Sequence, residues 1–370
     1  MGESRRFPGR LGLQQRVLPA YRAPFFDLLA GACDGGLSVF AGAAREDETI
    51  LPAERLEVAM HVRADNRDLL PRSAYLCLQP GLVAWLEQWD PQALILEANP
   101  RLLSNARASA WMRARRRPVV GWGLGAPAAQ GPLRGARRWF RRRLLSRFDG
   151  LIAYSTLGAE QYRSLGFPPD RVFTALNAVS PPPPRLLVRQ PLTGRKPRVL
   201  FVGRLQPRKR VDLLLQACAS FDPRPDLWIV GDGPALIDLQ RLASRLFPEA
   251  QFAGALHGPS LESVFGRADL FVLPGTGGLA VQEAMAHGLP VIAAEGDGTQ
   301  NDLVRPENGW LVPQDDLASL TRALREALTA PSRLADMGRA SHRIVAEEVN
   351  IEAMVASFLR ALDAVTGAER

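Results

Sequence analysis

The sequence predicts an α/β protein made of two Rossmann-like domains, each built on a parallel sheet. Three observations carry that expectation. Short aliphatic or β-branched runs alternate with amphipathic stretches along the chain, the pattern of repeated βαβ units. At 370 residues the chain exceeds one ordinary core and suggests two. Pro181 to Pro184 then interrupt the alternation, because prolines cannot donate backbone hydrogen bonds and favour extended chain. The predicted divisions are a first domain over 1–178, a Pro-rich linker over 179–194, a second domain over 195–345 and a terminal segment over 346–370.

In the first domain the runs Arg16–Leu18, Leu37–Ala41, Leu56–Val62, Ala74–Leu78, Ala93–Ala98, Pro118–Trp122 and Leu151–Tyr154 read as strands. Phe25–Ala32, Leu82–Gln88, Leu102–Arg115, Leu133–Phe148 and Gly158–Leu165 read as helices between them. The second domain alternates more cleanly. Its strands are Val199–Val202, Leu227–Val230, Gln251–Ala253, Leu270–Leu273, Pro290–Ala293 and Trp310–Val312. Its helices are Val211–Ser220, Ala235–Leu246, Leu261–Ala268, Leu279–His287 and Leu317–Leu328, followed by helical stretches over Ser332–Glu347 and Ile351–Val365.

Composition excludes several classes. No apolar run approaches the ~18 residues of a spanning helix, and no apolar segment follows the basic start, so neither an anchor nor a signal peptide is expected. Cys33, Cys77 and Cys218 are far apart and odd in number, which suits buried thiols in a reducing cytoplasm. The histidines show no ligand spacing. Residues 1–185 hold 26 arginines and no lysine against 16 acidic residues, a net +10, and the remainder is −2. That asymmetry suggests an anionic partner for the first half.

Three clusters of the second domain carry chemistry. Gly203 ends an apolar strand, where a glycine allows a tight turn and close approach of a ligand. Arg204 and Lys209 then supply a fork and a point charge for phosphate oxygens. Gly231-Asp232-Gly233-Pro234 reads as a structural strand-to-helix turn. The loop Pro274-Gly275-Thr276-Gly277-Gly278 opens a helix near Leu279, whose free amides suit an anion. Glu283, one turn in, can accept hydrogen bonds from sugar hydroxyls.

The stretches FVGRLQPRKRVD, IVGDGP, QFAGAL, GGLAVQEAMAHGLPVIA and NDLVRPENGWLVP occur in the order and spacing of one family. Residues 197–345 resemble the C-terminal domain of glycosyltransferase family 4, retaining enzymes of the GT-B fold with two Rossmann-like domains facing across a cleft. The resemblance implies a glycosyltransferase that uses a nucleotide-diphosphate sugar, with no cofactor and, for want of an Asp-x-Asp element, no metal. Arg204 and Lys209 would hold the diphosphate as the catalytic cations. Gly203, Gly278 and Leu279 would line it, Glu283 would hold the ribose and Leu256 would sit against the base. Asn177-Ala178-Val179 resembles the element that closes the first domain, and the final helix would return to that domain. Two positions depart from the family pattern. Gly275 stands where the first of two glutamates is usual, and Leu124 stands where a first-domain histidine is often found. The alternative they support is a non-catalytic nucleotide-sugar-binding protein on a degenerate scaffold.

The first domain is expected to bind the acceptor, a glycan, a lipid-linked group or a small molecule. Tyr21, Arg22, Glu97, Asn99, Arg101 and Trp122 sit at or near the carboxyl ends of predicted strands and are the acceptor-side candidates. Within 133–148, Leu133, Ala136, Phe140, Leu144 and Phe148 follow helical spacing among seven arginines. The preferred expectation is that this stripe is buried in the core. Peripheral contact with an anionic membrane, at its cytoplasmic face, is the alternative. No nucleic-acid module is expected.

Overall fold

A computed structural model describes residues 5–45, 48, 50–69, 75–128, 131–184, 186, 194–277 and 279–367. The chain forms two compact units: Met1–Ser180 with Ile351–Arg370, and Pro181–Asn350.

Unit 1 contains strands β1 (Leu11–Val17), β2 (Leu37–Gly42), β3 (Met60–Ala64), β4 (Arg67–Asp68), β5 (Cys77–Leu78), β6 (Ala93–Glu97), β7 (Val119–Gly123), β8 (Gly150–Ala153) and β9 (Val172–Thr174). Helices α1 (Ala23–Gly31), α2 (Leu82–Trp89), α3 (Asn105–Ala114), α4 (Arg134–Leu145) and α5 (Thr156–Ser164) alternate with them. Seven strands form one parallel sheet in the order β3-β2-β1-β6-β7-β8-β9, while β4 and β5 form a separate antiparallel ribbon. The run over 74–78 is thus not a strand of the main sheet, and its first residue lies outside the described residues.

Unit 2 contains β10 (Arg198–Val202), β11 (Asp226–Val230), β12 (Gln251–Phe252), β13 (Leu270–Leu273), β14 (Val291–Ala294) and β15 (Gly309–Val312). Its helices are α6 (Val211–Ala219), α7 (Leu236–Leu246), α8 (Gly258–Arg267), α9 (Leu279–Ala286), α10 (Thr299–Leu303), α11 (Leu317–Thr329) and α12 (Pro331–Glu347). The parallel order β12-β11-β10-β13-β14-β15 is the 3-2-1-4-5-6 order of a Rossmann sheet, with its switch point between β10 and β13. The last helix, α13 (Ile351–Thr366), belongs to unit 1.

Helices cover both faces of a parallel sheet, so its strands are apolar on both sides. β7 and β8 are buried at every position. Trp122 on β7 is 0% exposed, walled by Phe25, Phe26, Tyr154 and Phe358. The expectation that it lines an acceptor site is corrected: burial on both sheet faces makes it core.

Arg22 is likewise buried. Its guanidinium donates to the Ala178 carbonyl at 3.2 Å and to Asn177 Oδ1. These bonds tie the start of α1 to the end of the first unit, so Arg22 closes the unit instead of lining a site. The chain then meets α13, where the Ile351 amide donates to the Ser180 carbonyl at 3.0 Å.

Helix α4 reverses the preferred expectation for Leu133, Ala136 and Phe140, while Leu144 is half-buried and Phe148, just beyond the helix, packs against the core. Leu133 (62% exposed), Trp139 (67%) and Phe140 (54%) face solvent with Ala136, and only Leu145 of the helix is buried. At 100° per residue, Arg138, Arg141 and Arg142 share the Leu145 side. Arg138 donates to the Ser164 carbonyl at 3.2 Å, Arg141 to the Pro127 carbonyl, and the Arg142 guanidinium lies beside Gly166. The arginine side grips backbone carbonyls, and the apolar side turns outward.

Candidate functional site

The switch point of the second sheet builds the candidate site. Strands β10 and β13 are paired neighbours, and the loops at their carboxyl ends lock together. The Thr276 amide donates to the Arg208 carbonyl at 3.1 Å, and Arg208 Nη1 reaches Thr276 Oγ1 at 3.3 Å. A Cβ on Gly275 would strike the Arg208 carbonyl oxygen and the Lys209 backbone. The absent carboxylate at 275 is therefore a packing requirement of this loop pair. Gly277, at φ +121°, lies against Lys209, whose Nζ occupies the place a Cβ would need.

Lys209 has no ion-pair partner among the described residues. Burial, with the Arg208 charge as a lesser cause, pulls its pKa down to about 8. An uncompensated, part-buried ammonium is costly unless an anion completes it. Arg204 is exposed and has no hydrogen bond or ion pair among the described residues. Arg210, by contrast, is spent on Asp212 and Asp315.

Glycines bring the neighbouring loops within reach. Gly203 donates to the Val230 carbonyl at 3.0 Å, and a Cβ on Gly231 would overlap the Gly203 carbonyl. Gly231 donates to the Gly254 carbonyl at 2.7 Å, which holds the loop carrying half-buried Leu256. The turn 231–234 is structural, as its sequence suggests.

Helix α9 starts at Leu279, beyond the glycine loop; Gly278 lies outside the described residues. Glu283 is half-buried, and its carboxylate has no hydrogen-bond partner among the described residues. Burial raises its pKa, opposed by nearby His287 and reinforced by Glu262. His287 donates its backbone amide to the Glu283 carbonyl at 3.2 Å and stacks on Phe265 at 5.0 Å. Sequence reasoning missed Gln300. This buried side chain donates to the Gly277 carbonyl at 3.0 Å and fixes the loop from α10. No motif marks a lone buried glutamine, although Gly298 at φ +95° marks the turn before it.

Unit 1 has its own switch point, between β1 and β6. Glu97 accepts from the Arg16 amide at 3.0 Å and from Asn99 at 3.1 Å. Glu97 and Asn99 also line a cavity of about 140 Å³, whose walls include Leu102, Asn105, Leu144 and Phe148. Tyr21, Arg101 and Leu124 are exposed. The acceptor-side candidates Glu97, Asn99 and Arg101 share one strand end, while Arg22 and Trp122 belong to the core.

The comparisons agree with this architecture. The family described as "Glycosyl transferases group 1" matches residues 196–330, and "Glycosyl transferase 4-like domain" matches residues 26–178. A GDP-mannose-dependent alpha-mannosyltransferase of Mycobacterium tuberculosis is 35% identical over 70% of this chain and 71% of its own length. A GDP-mannose-dependent alpha-(1-6)-phosphatidylinositol monomannoside mannosyltransferase of the same organism is 27% identical over 97% of each chain. Among solved structures, the apo lipopolysaccharide outer core galactosyltransferase WaaB aligns at TM-score 0.70 and 15% identity, covering 97% of this chain and 99% of that one. Anabaena HepE in complex with UDP aligns at TM-score 0.69 and 16% identity, over 96% and 99%. The structural matches establish the GT-B fold, the sequence matches establish the activity class, and the chain belongs to the glycosyl transferases group 1, as a nucleotide-sugar glycosyltransferase.

Proposed function

We propose that the enzyme transfers a hexosyl group from a nucleoside diphosphate sugar to an acceptor hydroxyl, with retention and without a metal ion. The observation that carries the donor half is the Lys209 ammonium, without an ion-pair partner among the described residues and held against the Gly277 backbone at the sheet's switch point. That geometry suits a pyrophosphate, with Arg204 as a second cation and the start of α9 as a source of amides. Glu283 takes ribose hydroxyls. Leu256 packs on the base.

In the reaction, the bond between the anomeric carbon and the diphosphate oxygen breaks as the acceptor oxygen bonds to that carbon from the same face. The acceptor proton passes to the departing phosphate oxygen. Arg204 and Lys209 stabilise the growing diphosphate charge, the contribution that is usually the largest in such sites. This chemistry needs no histidine at position 124. Two side-chain cations do the work that a metal does elsewhere, and no cofactor is required.

GDP-mannose is the first donor to test, because several relatives are named as dependent on it. Calorimetry on Arg204→Ala, Lys209→Ala and Glu283→Ala should show each weakening donor binding by about 1–3 kcal/mol. Unchanged affinity in all three would overturn the site.

The acceptor belongs to unit 1 and is a glycan or a lipid-linked group. Relatives named for phosphatidylinositol mannosides support a lipid-bearing acceptor. The outward apolar side of α4, flanked by arginines, supports peripheral contact with an anionic membrane at its cytoplasmic face. Among the described residues no helix is long and apolar enough to cross a membrane.

A further inference from the structure

The first sheet's switch point carries a second cluster of cations. Arg16 lies on β1, Arg45 follows β2 and Arg101 follows β6, so all three belong to adjacent strand ends. They converge on one ring. The Tyr75 centroid is 5.5 Å from the Arg16 guanidinium, 4.7 Å from that of Arg45 and 4.9 Å from that of Arg101. Like charges gathered this closely repel, more so where water is excluded.

Glu48 offsets part of that repulsion. It pairs with Arg16 at 2.6 Å and Arg45 at 3.2 Å, and these arginines hold its carboxyl below the usual range despite burial. Among the described residues, other polar atoms of Arg16, Arg101 and Tyr75 have no hydrogen-bond partner. Arg16 is 9% exposed, and its Nη1 is buried with no hydrogen-bond partner. The Arg101 guanidinium and the Tyr75 hydroxyl have no hydrogen-bond partner among the described residues. A buried donor without an acceptor is destabilising, and one at a strand end calls for a partner such as a bound ion, ligand or water.

We propose that Arg16, Arg45, Arg101 and Tyr75 form an anion subsite that takes a phosphate ester carried by the acceptor. Strand carboxyl ends at a switch point are where open α/β sheets bind ligands. Guanidinium forks match phosphate oxygens, and a neutral phenol adds a donor without further charge. Glu97 and Asn99, on the same strand end as Arg101, are placed for the hydroxyls next to that phosphate. The assignment rests on unit 1 being the acceptor half. Its residues belong to unit 1, whereas the donor-site cations belong to unit 2.

The test uses the full chain in a Lys209→Ala background, so that the donor site does not take the probe. Binding of glycerol 3-phosphate is followed by calorimetry, and binding of phosphatidylglycerol vesicles by flotation. Arg101→Gln, at an exposed position, should weaken one of the two about tenfold, with an unchanged melting temperature. Loss in the soluble arm identifies a free phosphate monoester as the source. Loss in the vesicle arm alone identifies a lipid headgroup. If Arg101→Gln and Tyr75→Phe bind both probes as the parent does, the subsite is refuted. Nucleotide-sugar binding by the chain with Lys209 intact reports on the donor site independently, so failure of one assignment is distinguishable from failure of the other.

Discussion

Lys209 shows how one residue couples fold to chemistry. Its ammonium is desolvated by the glycine loop, which lowers its pKa from 10.5 to about 8. If Lys209 holds the donor diphosphate as proposed, binding needs the charged form, and affinity should fall as pH rises past about 8. Stability of the ligand-free chain should move the other way. The unfolded lysine holds its proton up to its ordinary pKa, so between 8 and 10.5 the unfolded state binds more protons. The Lys209 contribution to stability therefore rises across that window. Calorimetric titrations with donor and thermal melts, each at several pH values, check the two signs. Lys209→Met should flatten both profiles; equal pH dependence in the variant would assign the titration to another group. The candidate donor residues Gly203, Arg204, Lys209 and Glu283 could be named from sequence because they stand in an ordered run of motifs. What holds the loop could not. Gln300 and the Arg208–Thr276 contacts act through backbone carbonyls and hydroxyls brought together only by the sheet.

At the scale of elements, two predictions separate packing from function. Gly277 combines a positive φ with the Lys209 amine in the Cβ position. Gly277→Ala should cost about 1–3 kcal/mol in backbone strain and displace the ammonium. Donor affinity, read by calorimetry, should drop at least as far as in Lys209→Ala; retained affinity would mean that the loop does not position the cation. Helix α4 is tested on its outward side. Replacing Leu133, Trp139 and Phe140 together by serine removes mostly exposed apolar area, so the melting temperature should change little while flotation with anionic vesicles falls about tenfold. Equal flotation would leave the arginines as the sole contact. Hydrophobic periodicity found α4 and its stripe, yet it could not say which side faces the protein. That choice was made by the carbonyls of Pro127 and Ser164, which take the arginines. Strand β1 escaped for a related reason. It runs from Leu11, not Arg16, because buried Gln14 and Gln15 sit within it. Gln79 donates to the Gln15 carbonyl at 3.1 Å and accepts from Gln14. A strand that carries buried glutamines held by a distant partner has no apolar run to announce it.

The alternation of runs and the proline boundary made the two-unit architecture legible, and the return of α13 to unit 1 is what makes unit 1 complete. Phe358 of α13 packs edge-on against Phe25 at 5.0 Å and Trp122 at 4.9 Å. The polypeptide therefore leaves unit 1 at Ser180, builds all of unit 2, and comes back to finish the first core with its last helix. The donor residues proposed above, meanwhile, all lie within residues 181–350. This separation makes a prediction that a single cooperative core would not. Phe358→Ala opens a cavity among aromatic rings and should destabilise unit 1 by about 3–5 kcal/mol. Its melt should split, with an early transition that donor leaves in place and a later one that donor raises through binding linkage. Donor affinity below the first transition should equal that of the parent. If the donor instead raises both transitions equally, the two cores unfold as one, and the division at Ser180 and Asn350 has no thermodynamic counterpart.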